Sequence, residues 1–385
     1  MVVRRTVLAG ALAGGVLLIP GTSRFAGSVA LAAAPTNRRF VFIIQRGAAD
    51  GLGTVAPVGD PAFASQRGAL AGEFSNAPRL DDTFALHPAL QSVERLYRDR
   101  QALFFHAVAS PYRERSHFDG QNVLETGGGA AYRIRDGWLN RLLAILPAQD
   151  GHALALAPTI PLVLRGEKEV LTFAPSKLPV ASDDLLARVT GLYEADDELA
   201  PVWRRAVEAR AMGGGEADSG EARNAGRMAG QLLGADSAAR IAVIETGGWD
   251  THSQQRVRLA RQLQSLDAMI DALRTELGPL WADTAVLVAT EFGRTVRVNG
   301  TGGTDHGTGA LAMLLGGTIR GGRVAADWPG LAAGSLHENR DLRPTADLQS
   351  VLASAVSAHF GIDPARTASA LFPEARSIAR IDGIV

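Results

Sequence analysis

RRFVFIIQRG, residues 38–47, is a continuous apolar run of strand length closed by glycine. A strand with one wet face alternates polar and apolar residues. A run without a polar face belongs to a strand covered on both sides, as in a parallel sheet. Runs of the same kind recur at ALFFHAVAS from Ala102, IAVIETGG from Ile241, TAVLVATEFG from Thr284 and ALAMLLGG from Ala310, each ending in Gly or polar residues. Helical patterns lie between them. Over 254–278, Leu259, Leu263, Leu266, Ile270, Leu273 and Leu277 return at helical spacing, and Gly278 is placed to supply a left-handed residue at the end. A second helix is expected from Thr345 as N-cap, with Leu348, Val351, Leu352, Ala355 and His359 on one face and a stop before Gly361. This alternation predicts an α/β fold: a mostly parallel central sheet flanked by helices, with functional residues at the carboxyl ends of the strands.

The chain has 385 residues, 46% hydrophobic and 21% charged, the composition of a packed globular protein. Its 39 basic and 40 acidic residues leave a formal charge of −1 without long like-charge runs, so no nucleic-acid footprint is expected. Cysteine is absent, which removes disulfides, thiolate ligands and a Cys nucleophile together. Any metal must then be held by His and carboxylates.

At the N-terminus, Arg4-Arg5 precede an apolar run over 7–19 that stops at Pro20, and VALAAAPT offers cleavage near Ala32 or Ala34. Residues 1–34 read as a twin-arginine signal peptide. The run falls short of the roughly 18 to 20 apolar residues of a spanning helix, and no stable transmembrane span is expected in the mature form. The expected location is periplasmic or secreted, with the Tat translocase as the partner in export. The mature chain, 35–385, reads as one α/β domain. Within it, 151–234 breaks the strand–helix rhythm with a Pro-punctuated β-like part, a charged helical part and AMGGGEADSG, and is read as an inserted cap or peripheral segment.

Polar clusters follow the predicted strands: RGAADGLG with Asp50, YRERSHFDGQN with Ser116, His117 and Asp119, ETGGWDTHSQQ with Asp250 and His252, and EFGRTVRVNGTGGTDHGTG with Glu291, Arg294, Asp305 and His306. On a parallel sheet all of them reach one edge. Carboxylate and imidazole donors without sulfur suit Zn, Mn or Fe, while Mg or Ca would use mainly the oxygens. Glycines beside Asp305-His306 allow the close backbone approach that a crowded site requires. Each motif also has a plainer reading. Asp250 and His252 suit a helix N-cap with a surface His, Asp305-His306 a turn, Asp50 an Asp-Gly turn, and Ser116 either an N-cap or a nucleophile at a helix N-terminus. His87, His106, His152 and His359 sit in apolar or proline contexts and read as structural; His337 fits either role.

RGAADGL, SHFDGQ, ETGGWDTH, EFGRT and GGTDHG, in that order behind a twin-arginine leader, resemble the bacterial DUF1501 family of the alkaline phosphatase and sulfatase superfamily. The resemblance spans essentially the whole mature chain. It implies an alkaline phosphatase-like fold and a divalent metal (Zn, Mn, Mg or Ca), with Asp50, Asp250, His252, Asp305 and His306 as ligands. His337 is the one candidate for a further late His. A formylglycine nucleophile is not expected, because Ala109 occupies the converted position in ASPYR, residues 109–113. Ser116 is the expected nucleophile instead, with Arg294, Arg113 or Arg115 to meet substrate oxygens. The implied activity is metal-dependent hydrolysis of phosphate or sulfate esters, on a small-molecule or glycan anionic ester. The alternative is a non-catalytic periplasmic binding or assembly protein that retains the fold.

Overall fold

A computed structural model describes residues 37–147, 152–173, 220–234 and 239–385, with Asp196, Leu199, Ala200 and Trp203. The signal segment 1–34 and most of 174–219 lie outside the described residues.

The stretch 38–47 forms β1 (Arg39–Gln45), buried along its whole length. Phe40, Phe42 and Ile44 enter one apolar cluster and Val41 and Ile43 another, so each face of the strand meets its own layer of core. That explains the missing polar alternation. On one side lie the helices Trp138–Ile145, Leu348–Phe360 and Pro364–Leu371; on the other lie Gln91–Arg98, Glu221–Leu232 and Gln255–Leu277. Each fully buried Phe, Ile or Leu contributes about 1.5–3 kcal/mol by leaving water.

Around β1 the sheet gathers β4 (Ala102–Ala109), β5 (Ala153–Leu156), β6 (Val170–Thr172), β7 (Ile241–Thr246), β8 (Thr284–Thr290), β9 (Ala310–Leu315), β10 (Arg323–Ala325) and β11 (Ala346–Asp347). Its order is β10-β4-β9-β8-β1-β7-β5-β6, with β11 also on β4, nine strands in all among the described residues. The short β2 (Val55–Ala56) and β3 (Ala85–Leu86) pair separately. Every pairing in the large sheet is parallel except those of β9, which runs antiparallel to both β4 and β8. The sheet is thus mostly parallel with one reversed strand. Within 151–234, β5 and β6 extend the sheet beyond β7, and Glu221–Leu232 packs in the same apolar cluster as the long helix.

The long helix closes at Gly278, whose φ of +52° no residue with a Cβ adopts easily. The late helix starts further on than its sequence suggests. Asp347, not Thr345, is its N-cap, with the Asp347 carboxylate accepting the Ser350 N–H at 2.8 Å. Residues Ala346–Asp347 are still paired to β4, which keeps the backbone extended up to the cap.

A candidate metal centre at the carboxyl edge of the sheet

Three loops meet at this edge. The loop after β7 carries Asp250 and His252; buried Trp249 pins it by donating Nε1–H to the Thr246 hydroxyl at 2.9 Å. The loop after β4 carries Ser116 and His117, the latter opening the helix His117–Thr126. The 291–309 loop joins β8 to β9 and carries Glu291, Arg294, Asp305 and His306. Because β9 is reversed, residues just before it share an edge with residues just after β1, β4, β7 and β8. Asp305-His306 therefore reaches the site although it follows no strand directly. Two glycines make the approach possible: a Cβ on Gly303 would stand 2.2 Å from the carbonyl carbon of His252, and one on Gly307 2.4 Å from that of Arg294.

Three imidazoles are held in the same way. His117 Nδ1 meets Glu291 Oε1 at 2.7 Å, His252 Nδ1 meets Asp305 Oδ1 at 3.0 Å, and His306 Nδ1 meets the Arg115 carbonyl at 2.9 Å. Each ring then turns Nε2 toward Asp250. His252 Nε2 lies 3.0 Å and His306 Nε2 3.3 Å from Asp250 Oδ1, while His117 Nε2 lies 3.5 Å from Asp250 Oδ2. The two nitrogens of His252 and His306 are 3.0 Å apart. His117, Asp250 and His306 each offer a ligand atom within 4.8 Å of the other two, a group that fits a metal ion. Histidine ligands whose second nitrogen is held by a carboxylate or carbonyl are the usual form of such sites.

The charges are settled by their surroundings. Burial works against the Asp250 carboxylate, but the hydrogen bond and charge of Arg294, with His252 and His117, outweigh it and hold the carboxyl below its ordinary range. Burial likewise opposes Glu291, whose bonds from His117, the Gly47 N–H and the Thr290 hydroxyl keep it ionised. The Glu291 bond raises the His117 pKa above the ordinary imidazole value against burial. Asn299 and His252 hold Asp305 below the carboxylate range. Burial, then the charge of His117, lowers His306.

Of the residues expected at the site, Asp250, His252 and His306 come together there. Asp250 does not cap the long helix, whose N-cap is Gln254. Asp305 stands behind His252, touching Nδ1 and not the converging Nε2 atoms. Asp50 lies apart, fully buried: one oxygen accepts the Leu52 N–H, and the other takes Arg67 and Gln255. Arg294 is also buried, with Nη1 on Asp250 Oδ1 at 2.6 Å, Nε on the Thr304 hydroxyl at 3.1 Å and Nη2 on the Thr304 carbonyl. It steadies Asp250, and each of its three nitrogens already donates to a group within the protein. Ser116 occupies the N-cap position, but its hydroxyl makes no capping bond, and its N–H donates to the Tyr112 hydroxyl at 2.9 Å. Arg113 donates to the Ser110 and Tyr112 carbonyls, and Arg115 to Asp341 and Glu338. His337 sits 3.8 Å from Glu338, outside the cluster.

Sequence reasoning assigned no role to His117 or Glu291, which supply the third imidazole and its anchor. The available signal was position: both lie at the exit of a buried strand, in the clusters that hold the other donors.

A polar centre at the carboxyl edge of a mostly parallel sheet defines an α/β protein with its candidate site where such folds place ligands. The chain belongs to the DUF1501 family, described as a protein of unknown function, whose model matches residues 37–372. A comparison with curated proteins found no match. Among solved structures, the C-terminal periplasmic domain of EcEptC from Escherichia coli is similar over 90% of this chain and 89% of its own, at 10% identity and a TM-score of 0.40. Ps i-CgsB in complex with k-i-k-neocarrahexaose covers 85% of this chain and 72% of its own, at 11% identity and 0.40. BT1596, a 2-O GAG sulfatase, covers 88% and 75%, at 12% identity and 0.37.

Proposed function

We propose that this protein is an exported, metal-dependent hydrolase of phosphate or sulfate esters of the alkaline phosphatase-like kind. The observation that carries the reading is the set of three imidazoles, each anchored at Nδ1 and turned by Nε2 toward one ionised carboxylate. Such donors suit a divalent cation. A bound ion would supply positive charge to polarise the ester's phosphoryl or sulfuryl oxygen and lower the pKa of an attacking group. Glu291, Asp305 and the Arg115 carbonyl orient the rings, and Arg294 keeps Asp250 charged and in place. Ser116 stands next to His117 at the start of a helix whose N-terminal amides favour an anionic oxygen, which makes it the candidate nucleophile. The substrate class is a small-molecule or glycan anionic ester. Export rests on the Arg4-Arg5 leader; among the described residues no helix is long and apolar enough to cross a membrane.

The test is turnover of aryl phosphates, phosphodiesters and aryl sulfates by purified protein before and after chelation. Cleavage should disappear with the metal, return on its re-addition, and be lost in His306→Ala. A wild-type protein that is fully folded and binds no metal would sink the reading. A second reading, a non-catalytic binding or assembly protein, is favoured by the commitment of Arg294 and Arg115 to internal partners. Metal retained without turnover across the panel would support it.

A further inference from the structure

The donor atoms of the centre, and the partners already on the neighbouring carboxylates, bear on how many ions it takes and of which kind. The Arg115 carbonyl can only accept, so Nδ1 of His306 carries the hydrogen and its Nε2, in the neutral ring, is a lone pair. The Asp305 and Glu291 carboxyl groups stand at Nδ1 of His252 and His117 in the same way, the arrangement that places the hydrogen on Nδ1 in both rings. Two lone pairs therefore face each other across the 3.0 Å between His252 and His306, both beside Asp250 Oδ1. Acceptors so close repel one another unless a cation or a proton lies among them. His117 Nε2 points the same way from a buried position and has no hydrogen-bond partner. His252, His306 and Asp250 Oδ1 stand 3.0, 3.0 and 3.3 Å apart, and His117 Nε2 lies 3.5 Å from Asp250 Oδ2, close to the edge of about 3.3 Å in a tetrahedron of bonds about 2.0–2.1 Å long.

A second ion would need further unclaimed donors. Among the described residues, His117, Asp250 and His306 are the single group of three or more His and carboxylate side chains whose ligand atoms converge; Asp50 is taken by Arg67, Gln255 and the Leu52 N–H, Glu291 by His117, Gln121, Thr290 and the Gly47 N–H, and Asp305 Oδ1 by His252 and Asn299. We infer that the centre binds one ion through His117, His252, His306 and Asp250, and that its nitrogen-rich donors select a zinc-class cation over Mg²⁺ or Ca²⁺. This rests on the metal-binding half of the reading above and is independent of ester cleavage. Asp305 then serves as the outer partner of His252 and contributes no ligand atom.

The experiment is metal counting on chelated full-length protein titrated with Zn²⁺, Co²⁺, Mg²⁺ and Ca²⁺, together with the visible spectrum of the Co²⁺ form. One Zn²⁺ per chain is expected, undisturbed by excess Mg²⁺ or Ca²⁺, with the strong absorption of four-coordinate Co²⁺. His117→Ala and His252→Ala should each weaken Zn²⁺ by more than the roughly 10- to 100-fold that loss of an outer partner causes. Asp305→Asn keeps an acceptor for Nδ1–H and should cost no more than the roughly 10- to 100-fold of an outer partner. Two ions per chain, a preference for Mg²⁺ or Ca²⁺, no ion at all, or Asp305→Asn as damaging as His252→Ala would each overturn the inference. The wild-type stoichiometry and Co²⁺ spectrum decide the matter even if a variant fails to fold. One Zn²⁺ without ester cleavage would leave the inference standing and remove the hydrolase; cleavage with two ions would do the reverse.

Discussion

Arg115 and Asp341 are locked together beside the site, Nε to Oδ2 at 3.0 Å, with the carboxylate fully buried. The Thr308 hydroxyl donates to the same oxygen at 2.8 Å. Arg115 has a φ of +62°, an uncommon conformation for a residue with a side chain, and its carbonyl fixes the His306 tautomer. The pair thus ties the His117 loop to the His306 loop.

Asp341→Asn should weaken that tie without abolishing the fold. Loss of charge from a buried bond of this kind costs about 1.5–3 kcal/mol, read by urea unfolding. Metal affinity should fall in parallel, by about 10- to 100-fold, as for other outer partners of a ligand. Unchanged affinity beside lowered stability would confine Asp341 to a purely structural role.

Arg67 and Asp50 are both about 1% exposed and joined in an ion pair. Arg67→Met strands a carboxylate in the interior, and breaking such a pair costs about 3–5 kcal/mol. Urea denaturation should show this loss while metal stoichiometry stays unchanged. A fall in the number of bound ions would instead make Asp50 part of the centre.

Buried histidines far from the strand-end cluster predict acid sensitivity. His106 bonds Val55 O at 2.9 Å through Nε2 and accepts the Ala107 N–H at Nδ1, so the ring is neutral; burial pushes its pKa down to about 4 against the pull of the Val55 bond. Burial and then the charge of Arg38 push His359 down to about 3. In the unfolded chain both titrate near about 6.5. Below that value the unfolded state binds more protons, so stability falls as pH drops toward 4, by up to about 1.4 kcal/mol per pH unit for each ring. Above it these rings contribute no slope. Urea midpoints across this range should show the trend, and His106→Gln should lose part of it.

Two glycines of one loop should respond differently to alanine. At Gly303 the added Cβ meets the His252 backbone at 2.2 Å, whereas at exposed Gly300 nothing lies within 4 Å. Gly303→Ala should cost at least about 1–3 kcal/mol, the usual range for overpacking, and disturb metal binding. Gly300→Ala should stay within about 0.5 kcal/mol. Equal effects would mean that the loop does not depend on this approach.

The amino-acid sequence by itself determined the layered α/β architecture, because strands buried on both faces must be apolar throughout while helices between them need only one apolar stripe. It also singled out Asp250, His252 and His306, through their coincidence at the exits of buried strands. It did not reveal the reversal of β9, because an apolar run reads alike in either direction. Nor did it separate Asp50, committed to a buried ion pair with Arg67, and Arg294, committed to Asp250 and Thr304, from residues free to meet a ligand: the type of a charged residue does not say which partner has claimed its lone pairs or hydrogens. Those assignments, and the entry of His117 and Glu291, came only with tertiary structure, where the competition between solvent, counter-ions and backbone groups for each polar atom is resolved by distance.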